Sequence, residues 1–177
     1  MSKNNSVTKS KKTNRSKKKG NAFENQVAKE LGIWMFNDVN FLQRHLTSGA
    51  QKNVYCGDII PVKQLPDWFN KWTILIETKN GYPTNIPNIW RQTWLKDIFN
   101  KARQEAAIHN QNIIFLIIRF KNRSKLLFTN CYIDPKIILY NAIFPLEQNG
   151  KVHNIYVYDY NTLLKTDFRK VLKSIRK

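Results

Sequence analysis

Acidic residues are the scarce class in this chain. Only 12 Asp and Glu stand against 30 Lys and Arg, giving a formal net charge of +18 and a pI near 10.0. Such a balance excludes an ordinary near-neutral enzyme surface. It points to a polyanionic partner, bound with a steep salt dependence. Charge alone leaves nucleic acid, ribosomal RNA and an anionic membrane all open. Cysteine is nearly as scarce: Cys56 and Cys131 lie far apart without CxxC or CxxH spacing. With the scattered His45, His109 and His153 they form no zinc constellation, and a reducing, cytoplasmic setting is expected. Long apolar runs are also missing. The longest, Ile113 to Ile118, is strand-sized, and the basic N-terminus lacks the apolar core of a secretory signal, so neither a membrane span nor export is expected. What remains is 42% hydrophobic residues in 177, enough for one domain with a real core.

With so few carboxylates, those set at the ends of apolar strands carry the most information. The run Trp72-Thr73-Ile74-Leu75-Ile76 closes on Glu77-Thr78-Lys79. Side chains two apart on a strand share a face, so Glu77 and Lys79 point the same way. Asp58 follows a shorter extended run, Val54-Tyr55-Cys56. If the two runs are neighbours, one carboxylate from each meets beside a lysine. Hard oxygen ligands of this kind suit Mg²⁺, which keeps several waters and adds a phosphate oxygen. The lysine can orient or deprotonate the attacking water, or neutralise charge on phosphorus. The bland alternative is a strand end with a surface Glu–Lys pair worth about 0–1 kcal/mol.

Along the chain, residues 1–19 are Ser, Asn, Thr, Lys and Arg without hydrophobic periodicity. They read as a disordered basic arm able to grip phosphates without sequence preference. Residues 20–177 read as a single domain. Ala22, Phe23, Val27, Ala28 and Leu31 recur at helical spacing, with Gly32 as the stop and Glu24 in the first turn, where a carboxylate suits the helix dipole. Strands are expected at 41–46, 54–56, 72–79, 113–120, 126–132 and 155–158. Long helices are expected at 89–110, on a Trp90, Trp94, Ile98, Ala102, Ala106 row, and at 162–177, with a short helix starting at Asp134-Pro135. Loops are expected at Thr47–Ala50, Pro61–Lys71, Asn80–Asn88 and Glu147–Gly150.

The order helix, strand, strand, strand, helix, strand, with Glu24, Asp58, Glu77 and Lys79 at successive points, resembles the PD-(D/E)XK nuclease superfamily. Within it the nearest likeness is to the archaeal-type and RecU-type Holliday junction resolvases. The matching segments are Gly20 and Glu24 in GNAFENQVAKEL, Arg44 and Ser48-Gly49 in RHLTSGA, Gly57-Asp58, and Glu77-Thr78-Lys79. They cover about residues 20–120, and Gly57 stands where the motif usually has Pro.

The resemblance implies an α/β, restriction-endonuclease-like core: a mixed central β-sheet flanked by helices in αβββαβ order. It implies that Asp58, Glu77 and the Thr78 carbonyl hold Mg²⁺, with Mn²⁺ as a substitute. Lys79 would position or activate the water, and Glu24 would reach the metal directly or through water. Arg44 and Ser48 would lie near the scissile phosphate, with Lys52, Arg103 and Gln104 as further DNA contacts. The partner would be DNA, branched in the resolvase reading, cut by a homodimer whose symmetry matches a four-way junction. The setting would be cytoplasmic, or the host cytoplasm for a phage-encoded chain. Two rivals stay open: a restriction- or repair-type nuclease on linear DNA, and a nucleic-acid-binding protein with no catalysis.

Overall fold

The computed structural model describes residues 6–46, 55–69, 71–82, 93–121, 123–148 and 150–175. The expected turn at Thr47–Ala50, the start of the Val54–Cys56 strand, most of the loop at Asn80–Asn88, and Trp90 lie outside these residues.

The first element, α1 (Ser6–Phe36), is a single helix. It starts earlier than the apolar pattern predicts and passes through Gly32. Glu24 therefore sits deep inside a helix, and the first-turn capping role does not apply to it. The stop lies at Asn37, which takes φ 55 and whose N–H bonds back to Ile33 O at 2.8 Å. That is a left-handed C-terminal cap, a conformation Asn adopts at low cost. Gly32 serves another purpose: a Cβ there would lie 2.6 Å from Asp38 O, so the glycine lets the chain return close against the helix.

Strands β1 (Leu42–Arg44) and β2 (Ile59–Pro61) pair antiparallel, Arg44 opposite Ile59. The second strand was expected at 54–56; the apolar pair Ile59-Ile60 carries it instead, ending at Pro61. Strand β3 (Ile74–Tyr82) is next, then α2 (Thr93–Ile108), β4 (Ile113–Phe120), β5 (Lys125–Thr129), β6 (Ala142–Gln148) and β7 (Lys151–Asp159). Short α3 (Tyr160–Leu163) and α4 (Phe168–Ile175) close the chain. The single helix expected at 162–177 is broken here, because Asp167 accepts from Arg169 N at 2.8 Å and starts a new helix. At Asp134-Pro135 there is a turn, closed by Ile137 N to Asp134 O at 2.8 Å, and no helix.

Five strands form one mixed sheet in the order β3-β4-β5-β7-β6, with β3 and β4 parallel and the remaining pairs antiparallel. Strand β4 is buried on both faces, which is why it reads as an unbroken apolar run. Ile113, Phe115 and Ile117 pack with α1, α3 and α4; Ile114, Leu116 and Ile118 pack with α2. The buried face of α2 is Leu95, Phe99, Ala102 and Ala106. Trp94 and Ile98 were expected in that row but are only half-buried beside it, and Ile108 is exposed. Strand β6 was read as a loop at its end; Pro145 is tolerated because the strand is the sheet's edge. The elements leading into β4 follow the expected αβββαβ order, and the fold is α/β with a mixed sheet flanked by helices on both faces.

One ion pair ties the layers together. Lys125 Nζ on β5 meets both Glu30 carboxylate oxygens at 2.6 Å and lies 4.7 Å from the Tyr160 ring centroid. The Lys125 side chain is 10% exposed and that of Glu30 26%, so removing the lysine leaves Glu30 with water and the Gln26 amide at 2.9 Å. Lys125→Ala is expected to lower stability by roughly 2–3 kcal/mol, below the full cost of a buried pair because Glu30 keeps some water contact. Urea unfolding measures this. An unchanged midpoint would show the pair to be ornamental.

Candidate active site

Strand β3 sets the geometry by alternation. Ile74 and Ile76 face the α1 layer and Leu75 faces α2, so Glu77 and Lys79 follow Leu75. Lys79 Nζ lies 3.0 Å from Glu77 Oε2 and 3.9 Å from Asp58 Oδ2. Asp58 comes from the segment entering β2 and is fixed from two sides. Its own N–H donates to Ile76 O at 2.8 Å, and its Oδ2 accepts from Thr78 N at 2.8 Å. The N–H and C=O of one strand residue point the same way in the sheet, so the Thr78 carbonyl faces the Asp58 edge as well. Two carboxylates and one backbone carbonyl therefore converge next to an ammonium.

Gly57 allows this approach. It has φ 101, and a Cβ there would lie 2.7 Å from Ile76 O. Proline, with φ locked near −65°, cannot take that conformation, which accounts physically for Gly where the motif usually has Pro. Behind it sits Gln111, 2% exposed. Its Nε2 donates to Ile74 O at 2.6 Å, and its Oε1 accepts from Cys56 N at 3.0 Å and Cys56 Sγ at 2.8 Å. Gln111 thus clamps the segment before Asp58 to the start of β3. Sequence reasoning missed it, because a glutamine in Asn-Gln-Asn reads as an ordinary polar turn.

Burial and mutual charge couple the groups of the cluster. Burial pushes the Glu77 carboxyl up to about 7, with the Asp58 charge adding to the rise. Lys79 Nζ bridges the two, bonding to Glu77 Oε2 at 3.0 Å and lying 3.9 Å from Asp58 Oδ2. Burial works against the Lys79 ammonium, but Glu77 and then Asp58 outweigh it and raise its pKa. Glu24 is raised by burial and by Asp58, against Arg44 and Lys79. Arg44 Nη1 lies 3.6 Å from Glu24 Oε2, so β1 brings its arginine to the same edge. Cys56 is pushed up to about 11 by burial, then by Glu105 and Glu77.

Among the expected site residues, Glu24, Arg44, Asp58, Glu77, Thr78 and Lys79 come together. Ser48 and Lys52 lie outside the described residues. Arg103 is not brought to the cluster: its Nη2 lies 3.3 Å from His153 Nε2 on β7, three strands from β3 in the sheet. Gln104 is exposed on α2, and its neighbour Glu105 pairs with Lys101 at 3.7 Å on the same helix.

Among the described residues, no three His, Cys, Asp or Glu side chains form a metal-binding group. The donor set nonetheless fits one hard divalent cation. Asp58, Glu77 and the Thr78 carbonyl are all oxygen donors. Such an ion needs few protein ligands and keeps its waters.

A family model described as "Phage putative PDDEXK endonuclease" matches residues 15–176. No curated protein and no solved structure matches the chain.

Proposed function

The chain belongs to the phage PD-(D/E)XK endonuclease family, and on the strength of its paired carboxylates we propose that it is a Mg²⁺-dependent DNA endonuclease selective for branched DNA. The observation that carries the metal-nuclease reading is the Asp58–Glu77–Lys79 constellation at the edge of β3. Asp58, Glu77 and the Thr78 carbonyl would hold the cation, Mg²⁺ first and Mn²⁺ as a substitute. A bound divalent ion would acidify water and offset charge on the scissile phosphate. Lys79, an ammonium while both carboxylates are charged, donates a hydrogen bond to the attacking water and faces the phosphoryl oxygens. Glu24 holds Arg44 at the same edge, where the guanidinium can grip the phosphate.

Selectivity for four-way junctions rests on the resemblance of the Gly20–Glu24 and Arg44–Gly49 segments to resolvases. A homodimer is supported by an exposed apolar face. Tyr132 and Tyr140 lie 5.5 and 6.2 Å from the Tyr156 ring, and exposed Leu139 and Ile143 adjoin it in the chain. Among the described residues no helix is long and apolar enough to cross a membrane.

The test is cleavage of a labelled immobile junction beside a linear duplex of the same sequence, with Mg²⁺ and with EDTA. Paired symmetric nicks in the junction alone are expected. Equal cutting of both keeps the nuclease and discards the branched-DNA assignment. Tight binding with no cutting of either would leave a DNA-binding protein on a nuclease fold.

A further inference from the structure

Gly20 lies inside α1, where glycine is less favourable than alanine by about 1 kcal/mol. Packing does not demand it. The nearest atom to a Cβ built there is Glu24 Oε1 at 3.8 Å, an ordinary contact, whereas at Gly32 a Cβ would meet backbone at 2.6 Å. Lys17, Gly20 and Glu24 are spaced by three and four residues, so they share one helix face. Lys17 sits two turns, about 10 Å, from Glu24. The face thus runs from the catalytic edge, past a position with no side chain, to a cation.

This part of α1 is held in place and is uniformly positive. Asn80, next to Lys79, donates to Lys19 O at 3.1 Å and accepts from Arg119 Nε at 3.0 Å. The Arg119 guanidinium lies 4.7 Å from the Phe23 centroid, pinning α1 to β4. Residues 15–19 are exposed, and no Asp or Glu occurs before Glu24.

We propose that the α1 face bearing Lys17 and Gly20, flanked by Arg15, Lys18 and Lys19, is a track for the phosphate backbone of DNA on one side of the cut. The bare Gly20 backbone lets the strand pass close to the helix, and the lysines neutralise its phosphates. This rests on the nuclease reading, which places the scissile phosphate beside Glu24.

The experiment measures binding of the full chain to a labelled duplex by anisotropy, in EDTA so that cleavage does not intervene, over a salt series. Lys17→Gln/Lys18→Gln/Lys19→Gln is expected to flatten the plot of log affinity against log salt by ~0.9 per engaged lysine. A matched change in the C-terminal segment, Lys165→Gln in the turn before α4 with Lys170→Gln and Lys173→Gln on it, controls for net charge and is expected to leave the slope nearly intact. Gly20→Ala is expected to raise Tm yet weaken binding about threefold or more. Equal loss of slope in both triple variants, or Gly20→Ala binding as tightly as the parent, overturns the track. Cleavage by the parent chain in Mg²⁺ is scored separately. A track confirmed without cleavage sinks the nuclease reading alone, and cleavage with an unchanged slope sinks the track alone.

Discussion

Asp58→Asn is expected to lower metal-dependent cleavage by about 10³-fold or more, equivalent to ~4 kcal/mol of barrier, while the protein stays folded and still binds DNA. The asparagine is nearly isosteric, and its side-chain oxygen can still accept from Thr78 N, which holds Asp58 at 2.8 Å. What disappears is one of the two carboxylates at the proposed metal position, together with a charge that raises Glu77. Thermal stability without metal is therefore expected to hold or rise, an outcome a purely structural aspartate would not give. The measurements are initial cleavage rate, Tm in EDTA and DNA affinity in EDTA. Loss of cleavage accompanied by loss of Tm would reassign Asp58 to folding. Retained cleavage would remove it from the site altogether.

The second large effect couples pH to metal through Glu77. Its folded-state pKa is raised from 4.5 to about 7, first by burial and then by Asp58. The folded protein thus binds this proton more tightly than the unfolded chain. The resulting stability is fully present below the unfolded pKa and is lost as pH rises through about 7. Its size is on the order of 3 kcal/mol. In EDTA, Tm is expected to fall over that window, and Glu77→Gln is expected to remove this part of the fall. Mg²⁺ acts with the opposite sign, because it needs the ionised carboxylate and competes with the proton. It should raise Tm more near pH 8 than near pH 5.5. Thermal unfolding of parent and Glu77→Gln across pH, with and without Mg²⁺, separates this group from the histidines. Parallel curves for the two proteins would show that Glu77 does not carry the linkage.

How much of this was legible follows from the range of the interactions involved. Strand β4 was readable to its ends, because burial on both faces leaves no polar residue until Arg119. The Glu77–Lys79 pairing on one face was readable because strand alternation is local. By contrast, the Leu95–Phe99 face of α2 was displaced in the reading by Trp94 and Ile98. These are apolar enough to mimic a core row, yet they sit where the sheet leaves them half covered. Strand β2 was placed too early. Ile59 pairs with Arg44 across residues distant in sequence, and such pairing leaves no local period in a three-residue strand.

Two features are local to the chain: an excess of cations suited to a polyanion, and a few carboxylates at strand ends of the kind that suit a hard metal. Those follow from side-chain type and from periodicities of two and about four residues, which need no partner segment. Which groups meet is a matter of long-range packing. It set Asp58 against Thr78, brought Glu24 and Arg44 to the same edge, sent Arg103 to β7, and placed Gln111 as the clamp behind the aspartate. Each depends on contacts between segments far apart in the chain, formed when burial closes the two apolar layers around the sheet.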